Sequence, residues 1–351
     1  MLIKKLVFVT AKEGGSVLTA NQTKPLNGNR EELVRLVRKW GDVNTDGLLE
    51  ESCQIFLTPE IEGFIGYKIE SSNAVVFGDP VCSLQDKPAL AKKFQEYCAS
   101  KGIGVVYTIV SKEFADWSFK NHSAITIEFG EKFILDPFNN PINNTGSKSV
   151  LVRKKVKQAG NAGLTVHEYS GDDPKIEQQI EDVASEWLQK RHGPQIYLSH
   201  VTLFKDRQGK RWFYAQSQGK IVAFLMLNEL KEQNGWLLNN NMMTKKAPNG
   251  VSELLIINTL QELEKENCRF VLIGPVPGKQ LGEINGIDGF SSTLTRWFFK
   301  GARFVFHLEG QAAFWDKFQP RSVGSYLVFP EKNLGYSSIK ALLSAFNTGL
   351  G

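Results

Sequence analysis

The sequence is poor in residues that build covalent or metal frames. Its four cysteines, Cys53, Cys82, Cys98 and Cys268, stand far apart with no CxxC pair. That excludes a disulfide scaffold and a cysteine-rich zinc site, and predicts reduced, buried thiols. Five histidines form no HxxxH pair and no cluster with cysteine, so no metal centre is expected. The acidic segment 41–47 (GDVNTDG) has the wrong acid spacing for a calcium loop and lacks the closing glutamate. No apolar run approaches the roughly 18 residues of a spanning helix. The run at 6–9 is too short for a signal-peptide core. These absences predict a cytoplasmic protein with no transmembrane segment.

What is present describes an ordinary globular chain. Hydrophobic residues make up 42% of 351, enough to fill a sizeable core. That length leaves room for two domains of about 150 residues each. The net charge of +5 is compatible with an anionic partner without naming one.

The pattern centres on 235–277, which reads strand, turn, helix, strand. Val251, Leu254, Leu255, Ile257, Leu260 and Leu263 fall on one broad helical face. The turn APNG (247–250) feeds the helix start, whose first N–H groups lack internal partners and carry partial positive charge. Such a start can hold a phosphate, a carboxylate or a developing oxyanion. Gly250, without a Cβ, would let that group approach the backbone. The same order occurs earlier: strand 74–77, turn GDP (78–80), helix 87–100, strand 105–110. We read two copies of one α/β module.

Around these modules the pattern predicts an arm over 1–29 and a helix over 30–40. Strands follow at 53–57 and 63–70, then a hairpin or strand pair at 123–129 and 132–135. The Pro/Asn-rich segment 136–146 is the expected boundary, giving units 1–146 and 147–351. Ser147 is expected to cap a basic helix running to 159 that carries Lys148, Arg153, Lys154, Lys155 and Lys157. A strand at 164–169, a helix at 175–191 and a hairpin of 211–217 with 220–230 come next. After the central stretch come a Gly-rich loop (278–289), a helix (293–299), a strand (303–307), a helix (312–318), a strand (326–329) and a surface helix (336–346).

The element order of the second half is similar to GNAT-type acyltransferases. Their acetyl-CoA loop, [QR]-x-x-G-x-[GA], is absent: 245–250 reads KKAPNG. Several segments instead resemble the C-terminal catalytic region of bacterial phosphatidylglycerol lysyltransferases and related soluble proteins. They are SEWLQKRHG (185–193), APNGVSELL (247–255), the strand ending at Gly274-Pro275, GQAAFWDKFQPR (310–321), the GDP turn and LVRKKVKQAG (151–160). The resemblance implies two fused GNAT-like domains with mixed central sheets and flanking helices. It also implies transfer of an amino acid from aminoacyl-tRNA to a lipid or other hydroxyl or amine acceptor. No further cofactor is implied, and a lipid acceptor would place the protein at the inner-membrane surface. The chain departs from the family pattern in two places. Ala312, Phe314 and Trp315 stand where an Arg and a Tyr-Lys pair are usual, and Asn239–Asn241 where an acid is usual.

With that chemistry in view, N–H donors at Gly250, Val251 and Ser252 would hold the tetrahedral oxyanion. Glu253 would bind the aminoacyl α-ammonium, or simply favour the helix start. Asn240 would orient the acceptor, or satisfy a bulged strand. Asn249 belongs to the substrate turn. Lys317 and Arg321 would neutralise a phosphate, or form a solvated helix end. Arg153, Lys154 and Lys157 would track tRNA phosphates, which makes binding salt-dependent, or form a plain basic surface. Two other functions fit the fold: an acyl-CoA-dependent N-acyltransferase, and a non-catalytic binding protein.

Overall fold

A computed structural model describes residues 30–122, 124–189, 203–277, 282–287, 309–332 and 334–345. In chain order the elements are α1 (Arg30–Trp40), β1 (Gln54–Thr58), β2 (Ile61–Glu70), β3 (Asn73–Phe77), β4 (Val81–Cys82), α2 (Lys87–Ser100), β5 (Gly104–Val110), α3 (Lys112–His122) and β6 (Ile125–Leu135). Then follow α4 (Ser147–Asn161), β7 (Thr165–Tyr169), α5 (Pro174–Gln189), β8 (Lys210–Ser217), β9 (Lys220–Leu230), β10 (Gly235–Met243), α6 (Val251–Lys265), β11 (Val271–Pro277), β12 (Ile284–Asn285), α7 (Glu309–Asp316), β13 (Arg321–Phe329) and α8 (Tyr336–Ala345).

The class is mixed α/β, as expected, but the strands join into one sheet rather than two. Its order is β1-β2-β3-β5-β13-β6-β11-β10-β9-β8-β7, with β4 against β2 and β12 against β6. Strand β13, from the end of the chain, lies between β5 and β6. Strand β6 carries the ladder onward to β11. The sheet therefore crosses the expected boundary at 146 without interruption.

Helices cover both faces, as apolar strand sides require. One face packs α1 and α8 through Leu33, Val37 and Ala341, and α5 through Ile180 and Val183. The other packs α2 and α3 through Leu90, Phe94 and Phe114, and α4, α6 and α7 through Val152, Leu255 and Trp315. All four cysteines are buried and unpaired.

Some local expectations change. The strand pair at 123–129 and 132–135 is one strand, β6; its ladder with β13 steps from Gly130 to Glu128, so Phe129 is bulged. That extra residue breaks the alternation and imitates a turn. Helix α3 has no counterpart in the sequence reading, and only Phe114, Ala115 and Ser118 of it are buried. Helix α4 begins at Ser147 itself, with Gly146 at the cap and no side-chain capping bond. The first half of helix α6 is covered all round, Val251 through Ile257 being buried with Ser252 and Glu253 included, while Gln261, Glu262 and Lys265 of its second half face outward as expected. Helical turns covered all round belong to the core. The arm at 1–29, the helix at 293–299 and the strand at 303–307 lie outside the described residues.

Candidate functional site

The two β-α-β units differ in one respect that creates a site. In the first, β3 and β5 are parallel and paired throughout, from Asn73↔Gly104 to Phe77↔Thr108. In the second, β10 and β11 pair only at Trp236↔Val271 and Leu237↔Leu272. Beyond those positions β10 stays hydrogen-bonded to β9, and β11 to β6. The facing edges of 238–243 and 273–277 thus part into a cleft whose backbone N–H and C=O groups are not spent on each other.

A bulge decides which side chains line this cleft. The β10–β9 register steps from Leu238↔Leu227 to Asn240↔Met226, leaving Asn239 as the extra residue. Trp236 and Leu238 face α6, and Leu237 the opposite side. After the bulge the alternation inverts: Met243 faces α6 and Met242 faces α5. Period two then puts Asn241 on the α6 side and Asn240 on the α5 side. Asn240 is buried, and Asn241 carries a buried Oδ1 with no hydrogen-bond partner among the described residues. A simple alternation from Leu238 would give the α6-facing place to Asn240, so the bulge hides the effective residue.

Across the sheet from Asn240, at the start of α6, the structure brings two expected residues together. Lys317 Nζ donates to Glu253 Oε1 at 2.6 Å, and both side chains are largely buried. The Lys317 ammonium also lies 3.8 Å from the centre of the Phe314 ring. A cation is favoured over an aromatic face. The pair is 64 residues apart in sequence, and only the packing of α7 beside α6 joins it. Ser252 is buried, with Oγ 3.8 Å from Met243 Sδ.

The helix start is more closed than the sequence implies. The Val251 N–H donates to the Pro248 carbonyl at 3.2 Å, so it is not a free oxyanion donor. Gly250 has φ +94, and a Cβ there would sit 2.2 Å from the Lys155 carbonyl oxygen. The glycine therefore permits close approach of α4, not of a ligand from that side. Asn249 accepts from Lys155 Nζ at 2.8 Å, tying the same helices. Ser252 and Glu253 find no acceptor for their backbone N–H among the described residues. Arg153 is exposed but directed inward, donating to the Ile142 and Asn144 carbonyls at 3.1 and 2.6 Å. Lys154 and Lys157 are exposed on the outer side of α4, and Arg321 is exposed where β13 begins.

Sequence reasoning missed a polar cluster on the α1 side. Asp46 accepts from Arg38 at 2.8 Å, from Lys210 at 3.1 Å and from Asn239 Nδ2 at 3.2 Å. Burial would raise its pKa, but Lys210 and Arg38 outweigh that and hold the carboxyl below its usual range. Burial lowers the Lys210 pKa in turn. Asp42 pairs with Lys132 of β6. Asp79, of the GDP turn, accepts from Lys87 at 2.9 Å and from the Ser111 N–H and hydroxyl at 2.9 and 2.7 Å. Burial opposes ionisation of Asp79, yet Lys87 and Lys132 keep its pKa low. The acids of segment 41–47 thus meet cations of other elements, a pairing that local spacing cannot show. A cavity of about 360 Å³ lies apart from the cleft, at the β7–β8 edge, lined by Glu168, Tyr169, Arg207, Arg211 and Trp212.

A continuous mixed sheet, two β-α-β units and one parted strand pair define the class: a tandem GNAT-like α/β fold. The phosphatidylglycerol lysyltransferase C-terminal family matches residues 47–329, and the chain belongs to that family. The phosphatidylglycerol lysyltransferase of Bacillus subtilis (strain 168) is 21% identical over 264 residues, 73% of this chain and 29% of that protein. The chain thus spans under a third of that relative's length. Two solved structures share the fold. L-PGS from Bacillus licheniformis superposes with a TM-score of 0.76 at 20% identity, covering 93% of this chain and 98% of the other. The C-terminal domain of a putative lysylphosphatidylglycerol synthetase from Agrobacterium fabrum gives 0.72 at 19%, covering 91% and 96%. No helix among the described residues is long and apolar enough to cross a membrane.

Proposed function

We propose that the chain transfers an amino acid from aminoacyl-tRNA to a hydroxyl or amine acceptor, with an anionic lipid at a membrane surface as the leading acceptor class. The carrying observation is the parted β10–β11 pair with the buried Glu253–Lys317 couple beside it. Membership of the family supports the reaction type.

The reaction needs no redox partner. The acceptor oxygen or nitrogen attacks the aminoacyl ester carbon, and a tetrahedral oxyanion forms. The ribose oxygen then leaves and takes up the proton that the acceptor loses. Preorganised donors are worth about 3–4 kcal/mol each at such an oxyanion. The free N–H groups of Ser252 and Glu253 and the Lys317 ammonium are the donors this site supplies. Glu253 holds Lys317 in place rather than binding the α-ammonium, because its carboxylate is already committed. Asn241 offers an amide to the substrate, and Asn240 steadies the far side of β10. Lys154 and Lys157 lie open to tRNA phosphates, and Arg321 to a phosphate near the start of β13.

The test supplies radiolabelled aminoacyl-tRNAs, one amino acid at a time, with a membrane lipid extract or a protein extract. Label moving into lipid or protein is the expected outcome. No transfer with any amino acid would remove the proposal. Release of free CoA from acyl-CoA thioesters would replace it with the acyl-CoA reading.

A further inference from the structure

We infer that Asp46, from the first half of the chain, is a positioning residue for the cleft in the second. It acts through Asn239, the bulged residue of β10. The inference rests on the proposed reaction only for its catalytic consequence; the structural part stands apart from it.

Three observations carry the inference. Asn239 is the extra residue between the Leu238↔Leu227 and Asn240↔Met226 pairs, and its Nδ2 donates to Asp46 Oδ2 at 3.2 Å. Asp46 is itself fixed from two directions: Arg38 of α1 and Lys210 of β8 bind it with side chains 0% and 1% exposed. The parallel pairing of β10 with β11 ends at Leu237↔Leu272, two residues before Asn239.

The physical link is the handedness of alternation. A bulge turns every later side chain of a strand to the opposite face, and it bends the strand. Without it, Asn240 would point where Asn241 now points, and β10 would run straighter beside β11. The Asp46 anchor holds Asn239 on the α1 side, so the inverted register that presents Asn241 to α6 persists. The first half thereby sets the geometry of a cleft whose facing strands both belong to the second.

The experiment uses the full chain and three forms: wild type, Asn239→Ala, and the swap Asn239→Asp with Asp46→Asn. The alanine form removes the anchor without stranding the charges of Arg38 and Lys210. The swap exchanges donor and acceptor across the Asp46–Asn239 contact and leaves the number of carboxylates unchanged. Amide hydrogen exchange over 238–243 and 273–277 is read together with aminoacyl transfer. We expect at least tenfold altered exchange in those two segments alone for Asn239→Ala, transfer down at least tenfold, and recovery of both in the swap. Unchanged exchange in Asn239→Ala, or change spread evenly over the chain, overturns the inference. Altered exchange in Asn239→Ala, alongside a wild type that transfers nothing, upholds the anchor and discards the reaction. Altered exchange with full transfer in Asn239→Ala overturns the catalytic consequence.

Discussion

Replacing Gly250 by alanine separates two roles that a glycine before a helix can play. If the missing Cβ serves only a ligand, the protein folds as before and loses activity. The structure predicts the opposite order of effects. The new methyl would sit 2.2 Å from the Lys155 carbonyl oxygen and 2.8 Å from its carbon, both backbone atoms of α4 that cannot rotate away. The φ of +94 adds the strain of a left-handed L-residue, about 1–2 kcal/mol. Overpacking adds about 1–3 kcal/mol. The sum is about 2–5 kcal/mol, against the gain of about 0.4–1 kcal/mol that alanine brings at an unstrained site. At about 2 °C per kcal/mol for a chain of this size, the thermal midpoint should fall by about 4–10 °C. Calorimetry on wild type and Gly250→Ala measures it. A midpoint within about 1 °C of wild type refutes the packing argument and returns Gly250 to the ligand.

Two further perturbations follow from buried charges. Glu253→Gln or Lys317→Met alone strands a buried partner and should cost about 3–5 kcal/mol in urea unfolding. The double replacement should cost less than the sum of the two, and strict additivity would show that the pair is not coupled. Asp79 is held below the usual carboxylate range by Lys87 and Lys132. Its contribution is complete above the unfolded pKa of about 4 and is lost as pH falls through the lower folded value. Asp79→Asn should therefore be less stable than wild type at pH 7 and show a shallower loss on acidification; parallel curves would contradict this.

The parts of the fold written in local order were legible in the sequence. The β10-α6-β11 unit follows from apolar period and the APNG turn, and the earlier β3-α2-β5 unit from the same rule. The burial of the cysteines followed from their scatter. What escaped was written in register and distance. The bulges at Phe129 and Asn239 each add one residue, and a period-two count cannot tell an added residue from a turn or a face. Glu253 and Lys317 were each singled out, but with separate duties; their bond depends on α7 lying beside α6. Gly250 was noted for the correct property and given the wrong neighbour, because the Lys155 backbone comes from 95 residues earlier.

The placement of β13 between β5 and β6 bears on how the polypeptide is made. On a ribosome, the early strands emerge with an unfilled slot that waits for residues 321–329. Until synthesis reaches them, two sheet edges stay open to mispairing with other nascent chains. Expressing residues 1–146 by themselves should therefore yield aggregate, and co-supplying the remaining segment in trans should recover soluble material.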